Sequence, residues 1–118
     1  MNGSLIAAAT TYENAFATVE SLLARQPNTH QIDRDYIPFH ACVLVLANRR
    51  RLSNRELDYY LESRPNLLSL IDASRGSQDM EEMSVVRRLT RFFEDPEDGV
   101  TQNMAILRAR MLVAQHGL

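Results

Sequence analysis

A chain of 118 residues with 45% apolar side chains can bury one conventional core, and four glycines and four prolines leave no repetitive tract. Its formal net charge of −2 gives the whole chain none of the positive field that nucleic-acid binding draws on. No apolar run reaches the roughly 20 residues of a membrane span, and a single cysteine, Cys42, excludes an internal disulfide.

The first segment, from Ser4 to Gln26, carries Leu5, Ala9, Tyr12, Phe16, Val19 and Leu23 at steps of three and four. That spacing predicts one long amphipathic helix, ended by Pro27-Asn28-Thr29. Its stripe suits core packing or a dimer seam. No basic residue precedes Arg25, so the start lacks the positive region of a signal peptide, and a cytoplasmic protein is expected. Asp35 is placed to cap a second helix, with Pro38 in its first turn. From Ile37 to Ala47 nearly every position is apolar, which predicts a helix buried on all sides. Cys42 lies inside that run and is expected to be a buried structural thiol.

Ser53-Asn54-Arg55-Glu56 reads as a capping box, and Leu52 and Leu57 flank it as a hydrophobic staple. A helix from Asn54 to about Glu62 follows, broken at Arg64-Pro65. A shorter helix, Asn66 to Arg75, stops at Gly76. The next spans Gln78 to Glu94, with Met83, Val86, Leu89 and Phe93 on one side. After the acidic turn Asp95 to Gly99, a last helix capped by Thr101 runs to about Gln115, with Met104, Leu107, Met111 and Ala114 facing inward. The sum is a single all-α domain, residues 1–118, built as a bundle of five or six helices with short loops.

Few residues promise chemistry. His40 and Cys42 point about 200° apart on a helix and cannot share a metal. His30 and His116 have no companion at ligand spacing, and the acidic turn puts a proline where a calcium ligand belongs. No nucleophile, base and orienting group can be named together, so neither catalysis nor a cofactor is expected. Residues 53–71 have the length and apolar spacing of a helix-turn-helix, with Leu57, Leu61, Leu68 and Ile71 as its core. Asp58 and Glu62 occupy positions that normally hold small residues, and Pro65 stands where the reading helix should start.

All thirteen cations are arginine, and Arg49-Arg50-Arg51 at the end of the buried helix complement its dipole. They also offer, with Arg55 and Tyr59, an arginine- and tyrosine-rich contact surface. The candidate interface residues are therefore Leu5, Tyr12, Phe16, Arg49, Arg50, Arg51, Arg55 and Tyr59.

Over its full length the chain resembles the small helical quorum-sensing antiactivators of pseudomonads. The likeness lies in MNGSLIAAATTYENAF, FHACVLVLANRRR and ILRARMLVAQHGL. The resemblance implies a homodimer that binds a LuxR-type transcription activator (LasR is the example), covering its dimerisation surface and so blocking DNA binding. It supplies no individual contact residue. The alternatives are a divergent helix-turn-helix DNA-binding protein and a secretion chaperone.

Overall fold

A computed structural model describes residues 5–26 and 31–116, and among these every regular element is helical. In chain order they are α1 (Leu5–Ala8), α2 (Tyr12–Ala24), α3 (Gln31–Asp35), α4 (Ile37–Arg49), α5 (Asn54–Tyr60), α6 (Arg64–Ser74), α7 (Met80–Glu94), a 3-10 turn (Pro96–Asp98) and α8 (Gly99–His116). The all-α class is as expected. The eight α-helices among the described residues exceed the five or six predicted, because one expected helix divides and a short helix that was not expected precedes α4.

The division falls at Thr11. Its backbone is extended, and its hydroxyl accepts from the Asn14 amide at 3.1 Å, so it caps α2 and cannot continue α1. The stripe survives the break: Leu5, Ala9, Val19 and Leu23 are buried, while Tyr12 and Phe16 pack half-buried against the core. The expected stop at Pro27-Asn28-Thr29 lies outside the described residues, as do Ser4 and His30. The unexpected helix, α3, lies ahead of the predicted cap and includes it. Asp35 therefore ends α3 and does not cap α4, whose N-cap is Tyr36, with Pro38 in its first turn.

Helix α4 is buried at Ile37 and at every position from Phe39 to Ala47. A helix apolar on every side needs cover on every side. It packs chiefly between α2 and α7, and α1, α3 and α8 also touch it. Phe39 meets Phe92 and Phe93 of α7 with ring centroids 4.9 and 6.1 Å apart, an aromatic joint that adds orientation to the buried area. Cys42 is buried, and burial pushes its thiol up to about 12, so it stays protonated and unreactive.

The C-terminus of α4 closes in a Schellman motif. The Leu52 amide donates to the Ala47 carbonyl at 3.0 Å and the Arg51 amide to that of Asn48 at 3.2 Å. This requires Arg51 to adopt φ 56°, and among the described residues it is the one non-glycine with positive φ. A left-handed arginine costs about 1 kcal/mol relative to glycine. Arg51→Gly is expected to stabilise the fold by about 0.5–1 kcal/mol after the added freedom of the unfolded chain is subtracted. Thermal melting would show a rise of a few degrees. A fall would mean that the Arg51 side chain contributes more than its backbone costs.

The capping box forms as predicted. Ser53 Oγ accepts from the Glu56 amide at 3.1 Å, and Glu56 Oε1 accepts from the Ser53 amide at 2.9 Å. Those bonds hold the Glu56 carboxyl below its ordinary value. Helix α6 departs from expectation. It is capped by Ser63 and includes Arg64 and Pro65 in its first turn, where the missing amide costs nothing. Pro65 therefore opens this helix and does not break the chain before it. Gly76 has no positive φ, and α6 ends with Arg75 as its C-cap in a helical conformation.

The last helix faces the core with the other side. It begins at Gly99, not after Thr101, and buries Gln102, Ala105, Ile106, Ala109, Leu112 and Val113. Leu107, Met111 and Ala114 are exposed, and Met104 is half-buried. On α7, Val85, Val86 and Leu89 are buried and Met83 is exposed.

Two buried polar residues mark joints. Gln102 Nε2 donates to the carbonyls of Phe92 at 3.1 Å and Asp95 at 2.8 Å, tying the end of α7 and the following turn to α8. Its Oε1 has no partner among the described residues. His40, 3% exposed, lies between Tyr36 and Phe39, and its Nδ1 is likewise unpaired. Burial lowers its pKa to about 4; Asp33 opposes that shift and Arg108 reinforces it.

Candidate functional site

Arg49 and Arg50 are engaged within the fold. Arg49 Nη2 donates to the Thr10 carbonyl at 2.7 Å, and its Nε lies 3.2 Å from Asp79 Oδ1. Arg50 Nη1 donates to the Ala73 carbonyl at 3.2 Å and sits 3.8 Å from Glu82 Oε2. Beside them Asn48 Nδ2 donates to the Ile6 carbonyl at 2.9 Å, and the Tyr12 amide donates to Glu81 Oε2 at 3.2 Å. The cationic end of α4 thus meets the acidic start of α7, where Asp79 is the N-cap and Glu81 and Glu82 fill the first turn. Each charge favours the helix end it occupies. One corner fastens α1, α2, α4, α6 and α7.

The candidate interface residues divide accordingly. Leu5 is buried and offers no surface, while Tyr12 and Phe16 show only part of theirs. Their rings lie 5.9 Å apart, and the Arg88 guanidinium stacks 4.2 Å above Tyr12. Through Arg49 and Thr10 the α1–α2 junction adjoins the arginine corner, so part of the two predicted groups is brought together. Arg51 and Arg55 are exposed and have no described partner. Tyr59 is 55% exposed, with its ring edge-on to Tyr60 at 5.4 Å. The accessible remainder is Arg51 and Arg55 around the start of α5 and Tyr59 near its end.

Sequence reasoning missed a larger surface. Val100, Leu107 and Met111 on α8 are 80%, 51% and 43% exposed, and Met104 and Ala114 extend the same face. Positions 100, 104, 107, 111 and 114 alternate steps of four and three, the spacing of a coiled-coil seam. Since α8 already buries 102, 105, 106, 109, 112 and 113, it carries two apolar stripes. That doubling was visible in the sequence, but the two stripes compete for the same core and only one was assigned.

The α8 face is bordered by a fixed charge pair. Arg110 Nε donates to Asp58 Oδ1 at 3.0 Å, its Nη2 lies 3.4 Å from Oδ2, and Glu62 is 3.7 Å away. The hydrogen bond to Asp58 raises the Arg110 pKa and pins the guanidinium beside the apolar stripe. On the other flank Arg108 pairs with Asp33 at 3.2 Å. An apolar stripe with arginines and carboxylates at its edges has the make-up of a protein contact: an apolar centre within a polar rim. No helix among the described residues is long and apolar enough to cross a membrane.

Comparisons with protein-family models, curated proteins and solved structures return no match.

Proposed function

We propose that this protein is a small non-catalytic regulator that works by binding another protein, and that its target is a LuxR-type transcription activator held away from its own dimer and from DNA. The observation that carries the binding role is the solvent-facing stripe of α8, which leaves apolar surface uncovered at a helix-packing spacing. The choice of target rests on the full-length resemblance to quorum-sensing antiactivators of the QslA kind. To compete with an activator's homodimer, such a protein must present apolar contacts with oriented charges at the rim, as the Arg110–Asp58 pair does here. A homodimer belongs to the same reading.

DNA binding is less well supported. Helix α6 would have to read bases, yet its exposed positions are Pro65, Ser69, Asp72 and Ala73, with Arg75 exposed at its C-cap. Arg75 is already held by Asp72 at 2.8 Å and by Thr90, and Arg64 lies over the Phe93 ring. Such a face offers a single hydroxyl, that of Ser69, to base edges and no unpaired guanidinium to phosphates.

Co-expression with a LuxR-type activator should yield a stoichiometric complex on size exclusion with light scattering, and promoter binding by the activator should be lost. Leu107→Glu with Met111→Glu, both at exposed positions, should reduce the complex at least about tenfold while leaving the melting temperature unchanged. An activator that keeps its dimer and its promoter in the presence of excess protein would refute the proposed target.

A further inference from the structure

Away from α8, a groove of about 330 Å³ runs between the C-terminal end of α6 and the outer face of α7. Met83 and Val86 supply its apolar part, and Arg75, Arg87, Arg91 and Thr90 supply polar groups around it. Positions 80, 83, 87 and 91 share one side of α7 at steps of three and four. Met80 (79% exposed) and Met83 therefore continue the apolar strip towards the start of the helix.

The arginines that line this groove differ in state from most of those around the core, although Arg25, Arg34, Arg51 and Arg55 are also exposed without a described partner. Arg49, Arg50, Arg75, Arg108 and Arg110 stand in ion pairs, and Arg64 and Arg88 stack on aromatic rings. Arg87 and Arg91 are exposed, one turn apart, with no partner among the described residues. Two unpaired guanidiniums at that spacing, about 5–6 Å between their Cβ atoms, match carboxylates one turn apart on a facing helix. Exposed methionines beside them provide adaptable apolar contact of the sort that receives an amphipathic helix.

We propose that the α6–α7 groove is a second docking surface, which takes an acidic amphipathic segment of a partner protein. Its apolar side lies on Met80 and Met83, and its carboxylates meet Arg87 and Arg91. A small anion would leave most of the volume and the apolar strip unused. A nucleic acid would gain nothing from the methionines. The inference does not depend on the α8 face or on the identity of the activator.

The test uses the full chain and a fluorescein-labelled 15-residue peptide with leucine on one helical face and glutamate elsewhere, read by fluorescence anisotropy. The same peptide with lysine for glutamate, and a random-sequence DNA duplex, serve as comparisons. The acidic peptide should bind, and binding should weaken as salt rises. Arg87→Glu with Arg91→Glu should weaken it at least about tenfold, with an unchanged circular dichroism melt. Arg25→Glu with Arg34→Glu, the same charge change away from the groove, should leave binding within twofold. Equal binding of the lysine peptide, tighter binding of the duplex, or equal loss in the two double variants would each overturn the proposal. No binding of the acidic peptide would do so as well.

Discussion

Lowering the pH from 7 to 4 should remove about 3 kcal/mol of folding stability through His40 alone. Burial lowers its pKa in the folded protein to about 4, whereas in the unfolded chain it titrates near 6.5. The folded state therefore keeps the ring neutral while the unfolded state takes up a proton. Stability is complete above about pH 6.5 and falls as the pH drops towards 4, by up to about 1.4 kcal/mol per pH unit. The groups facing His40 do not cancel this, because Asp33 and Arg108 are paired with each other at 3.2 Å. Urea midpoints measured from pH 7 to 4 check the slope, and His40→Leu should flatten it over that window. An equally steep loss in the His40→Leu variant would show that other groups set the acid limit. A domain of this size has only about 5–15 kcal/mol in hand, so the loss would be plain in a melting curve.

The second large effect is expected at Gln102. Its side-chain amide is the donor for two carbonyls at the α7–α8 connection, both within 3.1 Å. Gln102→Glu replaces that donor with a carboxylate oxygen facing two carbonyl oxygens inside the core, and should cost about 3–5 kcal/mol at neutral pH. Gln102→Leu keeps the volume and removes the unpaired Oε1 along with the donor, so it should cost less, about 1–3 kcal/mol. Denaturant titration orders the two variants. Hydrogen exchange should show the backbone around residues 95–98 opening faster in both. A Gln102→Glu protein as stable as the parent would mean that the two carbonyls find other donors.

What could be read from the sequence was local and strongly patterned. The buried helix announced itself because FHACVLVLA has no polar side that could face water. Ser53 and Glu56 specified their own geometry within four residues. Features that depend on competition between distant segments were not legible. The inward face of α8 was misassigned because both of its stripes are apolar, and the choice is made by the helices it packs against. Arg49 and Arg50 looked available because their partners, Thr10, Ala73, Asp79 and Glu82, lie some 23 to 39 residues away in the chain. Pro65 misled for another reason. The rule disfavouring a helical residue before proline is a preference, and the Ser63 cap, which accepts from the Asn66 amide, outweighs it.

The placement of α4 in the middle of the chain also bears on how the protein is made. Its flanks are covered by α2, which precedes it, and by α7, which ends at Glu94, 45 residues after Arg49. At about 5–20 residues per second, ribosomal synthesis needs roughly 2–9 s to add that length. For that interval the emerging polypeptide holds an all-round apolar helix with one flank bare. Once the C-terminal half arrives the surface is sealed, so the period of greatest exposure to self-association belongs to biosynthesis and not to the finished molecule.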